Sequence, residues 1–279
     1  MTVEPTPLSS NNQRLSDLRR LTGRRKSRLD AGRFVIEGPV PVAELLAAGA
    51  PIDEVFVDLE QWRAADESAV LRAVVRDADA AGTPVWGLDA GVLASIADTD
   101  APQGVLATAP RRTSTLDQLA SLGGGPVLVL VDVNDPGNAG TLVRTAEAAG
   151  ARAVLAVGST TDLFGPKAVR AAAGSVVRLP IVEQADPVAA LDGLRSAGCR
   201  IIGTVVAGGA APDAVDLRGP VAILVGSEAH GLSDAVVERC DDLVTIPMAE
   251  RVESVNAAIA GAIVLFDAAR QRRSPVDGR

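Results

Sequence analysis

The chain has 279 residues, 47% of them hydrophobic, enough to fill a core in two domains or one large one. Its formal net charge of −8 argues against a polyanion held by overall charge, and four Phe, two Trp and no Tyr leave little for an aromatic platform that stacks single-stranded nucleic acid. Two widely separated cysteines, Cys199 and Cys240, and one histidine, His230, fit no zinc ligand spacing and agree with free thiols in a reducing compartment.

Residues 1–12 are polar and Pro-bearing, without the apolar core of a signal peptide, and are expected to be disordered. No apolar run reaches the ~18 residues of a membrane span, so a soluble, cytoplasmic protein that does not engage a membrane is expected. Residues 14–29 read as a basic helix. Between Arg14 and Arg33, the basic residues Arg14, Arg19, Arg20, Arg24, Arg25, Lys26, Arg28 and Arg33 face only Asp17 and Asp30. Such a stripe suits either phosphate binding or a solvated, salt-bridged helix. A short strand at Arg33–Gly38, a helix from Pro41 to Ala48, a strand at Val55–Val57, a helix from Ala65 to Ala81 and strands at Pro84–Trp86 and Val105–Thr108 complete a small α/β unit over residues 1–109. Residues 110–125 read as a linker with a short helix near Leu116–Leu122, ended by Gly123-Gly124-Gly125-Pro126.

Residues 126–279 form the second domain. Apolar strands are expected at Val127–Val131, Ala153–Val157, Val176–Leu179, Arg200–Val206, Val221–Val225 and Leu243–Ile246. Helices are expected at Ala139–Ala149, Pro166–Ala173, Pro187–Ala197, Asp234–Arg239 and Asn256–Arg272. Continuous Val/Ile/Leu strands alternating with helices imply a parallel sheet covered on both faces. Three strand-to-helix turns stand out: Asn134–Gly140 with Arg144, Gly226–Leu232, and Ile246-Pro247-Met248 followed by Glu253–Ala258. Ligands of open α/β sheets bind beyond the carboxyl ends of strands, so the three turns are read as one site.

Neither G-x-G-x-x-G nor the P-loop pattern occurs, which disfavours ordinary dinucleotide and P-loop binding. Each candidate also has a plain structural role. Asn138 suits an N-cap, Arg144 could pair with Glu147, and Glu228 would favour a helix N-terminus. Ser254 and Asn256 could cap the last helix, and His230 reads as a turn residue. There is no Ser–His–Asp order, paired carboxylate or metal cluster, so hydrolase readings are weak.

Together the three segments resemble the three motifs of the SpoU (TrmH-like) RNA ribose 2′-O-methyltransferases of the SPOUT superfamily, over roughly Pro126–Arg272. Lys167–Gly174 with Leu179-Pro180 fits a secondary pattern, and Arg33–Gly38 resembles the opening of an L30e-like substrate-binding domain. The resemblance implies a trefoil-knotted parallel sheet, a homodimer, and S-adenosylmethionine without a metal, bound near Thr204, Val205, Val206, Gly226, Ile246, Met248 and Val255. It implies Asn138, Arg144, Glu228, Ser254 and Asn256 as catalytic residues. The RNA substrate is expected to be ribosomal, 23S rRNA first, bound with the help of Arg19, Arg20, Arg24, Arg25, Lys26 and Arg28. A transfer RNA substrate and a non-catalytic RNA-binding protein of the same fold remain alternatives. Glu250 stands where the family has glycine, and Val255 where it has leucine.

Overall fold

The computed structural model describes residues 3–249 and 254–273, and the chain divides into two compact units. The first runs up to Arg112 and includes Phe164–Arg178; the second comprises Thr113–Leu163 and the chain from Leu179 onward.

In the first unit the elements are β1 (Thr6–Pro7), α1 (Gln13–Gly23), α2 (Arg25–Ala31), β2 (Arg33–Glu37), α3 (Pro39–Ala47), β3 (Glu54–Asp58), α4 (Leu59–Ala64), α5 (Val70–Ala80), β4 (Val85–Leu88) and β5 (Val105–Pro110). The sheet order is β1-β4-β3-β5-β2; β1, β4 and β3 are parallel, and β5 is antiparallel to both β3 and β2. Three expectations change. Within the stretch expected to be disordered, Thr6–Pro7 pair with β4, and the buried Leu8 that follows packs in the core with residues of α1 and anchors them. The single basic helix is two, broken at Arg24, whose backbone is extended after Gly23. The helix expected from Ala65 begins only at Val70, and Asp58 caps the separate short α4.

The second unit carries a 3₁₀ turn at Leu116–Ser121 and then β6 (Val127–Val131), α6 (Pro136–Ala148) and β7 (Ala153–Val157). Next come α7 (Pro166–Ala172) and α8 (Ser175–Arg178), which belong to the first unit. There Phe164 meets Phe34 edge-on at 5.2 Å, and Arg170 pairs with Asp98 at 2.7 Å and Glu37 at 3.6 Å. The chain continues through β8 (Ile181–Gln184), α9 (Pro187–Ser196), β9 (Arg200–Thr204), a 3₁₀ turn at Pro212–Ala214, β10 (Val221–Val225), α10 (Asp234–Val237), β11 (Asp242–Val244) and α11 (Ala257–Arg273). Val176–Leu179 is therefore a helical turn and not a strand. Ala173 and Gly174 are left-handed, the short apolar run coils after them, and Pro180 ends it.

All six strands of this unit are parallel, in the order β11-β9-β10-β6-β7-β8. β6, β7 and β10 are buried along their whole length, as expected of strands covered on both faces. The strand order reverses between β6 and β10, and a crevice forms where connections diverge at such a point. Helix α11 packs on α6 and β10. A Cβ on Gly261 would strike the end of the Leu142 side chain and lie 3.0 Å from Val225 Cγ2, so a larger residue would force Leu142 to move. Among the described residues no helix is long and apolar enough to cross a membrane.

Candidate active site

The turn after β6 enters α6 through Asp135, whose carboxylate accepts the Asn138 amide at 2.8 Å, with Pro136 in the first helical turn. Proline at this position loses nothing by lacking an N–H, so the helix starts ahead of Asn138. The cap read onto Asn138 is thus supplied by Asp135, and the Asn138 side chain is left to reach the other two turns. Its Nδ2 donates to Glu228 Oε1 at 3.0 Å, and its Oδ1 accepts from Asn256 Nδ2 at 2.9 Å.

The direction of this relay is set at one end. Asn256 Oδ1 accepts the amides of Ala258 at 2.8 Å and Ile259 at 3.3 Å, capping α11 as its sequence position suggested. Its NH₂ must therefore point away and find an acceptor. Asn138 must present its oxygen, which turns its own NH₂ to Glu228. Glu228 can only be an acceptor here. It also receives the main-chain amides of Asn134 at 3.2 Å and Asp135 at 3.3 Å, ahead of α6. Burial by itself would raise the Glu228 pKa. The bonds from Asn138, its own amide, Asn134 and Asp135 outweigh that, and the carboxyl is held below its ordinary value.

Glu228 lies on a closed turn in which Ser227 and Gly231 exchange main-chain bonds of 3.1 and 2.8 Å. Gly231 is left-handed, and a Cβ on Gly226 would run into the Gly231 main chain and sit 2.5 Å from Leu232 N. His230 is exposed on this turn. Arg144 lies on α6 two turns beyond Asn138. It is exposed and makes no hydrogen bond or ion pair among the described residues, so the pair with Glu147 does not form. Ser254 is also exposed, and Glu250 lies outside the described residues.

The expected cofactor segments follow three adjacent strands. Thr204–Val206 leave β9, Gly226 leaves β10, and Ile246 and Met248 follow β11. Thr204 Oγ1 donates to Leu224 O at 2.7 Å and Val205 N to Val244 O at 2.9 Å, locking these ends together. The amides of Ile246, Met248 and Ala249 have no main-chain acceptor among the described residues. Val206 is 61% exposed, and Ile246, Met248 and Val255 are half-buried. Free main-chain donors beside apolar side chains fit a planar heterocycle. No group of three or more His, Cys, Asp or Glu among the described residues is placed to hold a metal ion.

In the first unit, Arg19, Arg20, Arg24, Arg25 and Lys26 are exposed on α1 and α2. Arg28 departs from the expected RNA-facing stripe. It is 5% exposed and donates to Leu21 O at 2.6 Å and Thr22 O at 3.3 Å, closing the end of α1. Arg33 is likewise engaged, with Asp53 at 2.8 Å and with Glu54 and Thr108.

Residues 125–266 match the model of the SpoU rRNA methylase family, and residues 12–107 match that of the MRM3-like substrate-binding domain. The chain belongs to the SpoU rRNA methylase family. This SpoU methylase is 31% identical to a 23S rRNA (uridine(2479)-2′-O)-methyltransferase of Streptomyces viridochromogenes, covering 96% of this chain and 93% of that one. It is 33% identical to a 23S rRNA (guanosine-2′-O-)-methyltransferase of Ralstonia nicotianae, over 79% and 88% of the two chains. Among solved structures it resembles the AdoMet-bound rRNA methyltransferase of Sinorhizobium meliloti, with a TM-score of 0.81, 32% identity, and coverage of 98% and 100%. The SpoU methyltransferase AviRb of Streptomyces viridochromogenes in complex with AdoMet gives 0.79, 30%, 94% and 99%.

Proposed function

We propose that this SpoU methylase transfers a methyl group from S-adenosylmethionine to a ribose 2′-hydroxyl of ribosomal RNA, with 23S rRNA as the leading substrate. The observation that carries the reading is the Glu228–Asn138–Asn256 relay, which joins the three motif turns, with the exposed Arg144 on the same helix as Asn138. Relatives of similar length named for 23S rRNA ribose methylation support the substrate.

Bound S-adenosylmethionine would supply a methyl group made electrophilic by its sulfonium: the O–CH3 bond replaces the S–CH3 bond, S-adenosylhomocysteine leaves, and the hydroxyl proton passes to solvent. Thr204–Val206, Gly226, Ile246, Met248 and Val255 would hold it, chiefly by main chain. The protein's remaining task is positioning, which can account for a large part of such a rate. Arg144 binds the phosphate next to the target ribose and polarises the hydroxyl. A guanidinium with a pKa above ~12 is a poor proton acceptor, so binding suits it better than base catalysis. Glu228, saturated with donors, stays a carboxylate and holds the three turns together; the exposed Ser254 is free to meet the RNA. The exposed arginines and Lys26 of α1 and α2 track the RNA backbone.

We further propose a homodimer that covers the exposed stripe Ile259, Ile263 and Phe266 of α11, a knotted path for the last segment of the chain, and action in the cytoplasm. The test is transfer of labelled methyl from S-adenosylmethionine to purified 23S rRNA, 16S rRNA and transfer RNA, with mass-spectrometric mapping of the product. Ribose methylation of 23S rRNA is expected; RNA binding without methylation of any of these would overturn the proposal. Arg144→Lys should lose most turnover, and near-wild-type turnover at unchanged RNA affinity would refute the guanidinium role.

A further inference from the structure

Asp132 is the residue at which β6 turns into the site, and its backbone is left-handed, with φ of 55°. Only it and Ala173 among the described non-glycine residues have positive φ. That conformation strains most L-residues, though Asp and Asn adopt it more readily than others. The surroundings of Asp132 hold it there from several sides. Its Oδ1 accepts Ser159 N at 2.7 Å and Ser159 Oγ at 2.8 Å, its own amide donates to Val157 O at 3.2 Å, and its carbonyl accepts Asn134 Nδ2 at 2.9 Å. A Cβ on the neighbouring Gly158 would run into the same carboxylate, so the backbone approaches it closely by necessity. Buried Thr160 braces the next residue, accepting Val133 N at 3.3 Å and donating to Leu130 O at 2.8 Å.

The two amides that follow this braced turn, those of Asn134 and Asp135, are the ones that grip Glu228. We propose that Asp132 is a positioning residue of the methyltransferase: its carboxylate, clamped by the loop after β7, fixes the reversed turn that aims those amides at Glu228 and so aligns the relay to Asn138 and Asn256. The proposal rests on the activity proposed above. It assigns a role to the loop Gly158–Thr160, whose hydrogen bonds among the described residues go to β6, β7, β8 and the turn after β6 and not to the side chains of Glu228, Asn138 or Asn256.

Three variants separate backbone from side chain. Asp132→Asn keeps both an acceptor oxygen and the tolerance for a left-handed backbone. Asp132→Gly keeps the backbone freedom and removes the clamp, and Asp132→Ala removes both. Methyl transfer under single-turnover conditions, RNA affinity by filter binding, and the titration of Glu228 by carboxyl-carbon NMR are measured on each. Expected are Asp132→Asn within about threefold of wild type and Asp132→Gly at least about tenfold slower in turnover, because misplacement of a reacting group is costly. RNA affinity should stay within about twofold, while the Glu228 titration in Asp132→Gly should move up towards the ordinary carboxylate range. If Asp132→Ala fails to fold, Asp132→Gly still decides. Wild-type turnover and an unmoved Glu228 titration in Asp132→Gly would overturn the inference. An inactive wild-type protein would instead overturn the proposed activity, and the Glu228 titration would still test the turn.

Discussion

Glu228→Gln preserves shape and removes charge, and the relay dictates how the new amide must sit. Its oxygen is best placed where Oε1 was, accepting from Asn138 and Asp135. Its NH₂ then faces the Asn134 amide, which donated to Oε2 at 3.2 Å. One charge-assisted bond becomes a donor–donor contact, and two others become neutral. Hydrogen bonds to a charged group contribute roughly 1.5–3 kcal/mol when buried. This carboxylate is largely open to solvent, which screens its charge and lets water take the freed amide, so the expected loss is about 1–2 kcal/mol. The pH dependence has a definite sign. A folded-state pKa held below the ordinary 4.5 contributes stability that is fully present above that value and is lost as pH falls through the lowered one. Urea denaturation of wild type and variant should therefore show a gap at about pH 7 that narrows as pH is taken down to about 3. An undiminished gap across that range, or none at neutral pH, would refute the assignment of the charge as the stabilising element. Turnover should fall with the variant at neutral pH while RNA affinity holds.

Other positions give independent checks. Gly226→Ala forces a Cβ into the Gly231 main chain, where no flexible side chain can give way, and should cost about 3 kcal/mol or more in a thermal or urea melt. Arg28→Ala should destabilise the first unit by about 1–3 kcal/mol, since it strips a buried guanidinium from two carbonyls, and leave the salt dependence of RNA binding unchanged. Arg24→Ala, fully on the surface, should do the reverse: unchanged melting and a shallower slope of binding against salt concentration.

The features legible in the sequence were those set by local rules. Runs such as Val127–Val131 and Val221–Val225 can only be buried strands, and glycine-bearing turns at their ends mark where a ligand sits. Asn256 could be read as a cap because it immediately precedes an apolar helix. Asn138 invites the same reading, and there the local rule fails because Asp135 supplies the cap. Asp135-Pro136 is a stronger start signal three residues earlier, and it leaves the Asn138 side chain free for another role. Val176–Leu179 illustrates a different limit, since a two-valine run carries no period, and only the left-handed Ala173 and Gly174 decide that it coils. Arg28 looked like its neighbours in charge and differed only in facing the end of α1. Asp132 gave no sequence signal that would separate it from an ordinary turn residue, because its role depends on a loop some 27 positions away.

The bond between Asn138 and Asn256 spans 118 residues of chain, and it has a temporal meaning. Asn138 belongs to the first helix of its sheet and Asn256 to the start of the last one. The central strands can pair before α11 exists, but without it Asn138 has no acceptor-seeking partner and its amide is free to turn over. Catalytic competence therefore requires α11 to be docked, and closing so long a loop carries an entropy cost that grows slowly with its length. During refolding, spectroscopic recovery of the sheet should precede recovery of methyl transfer, and the lag between them would time the arrival of α11.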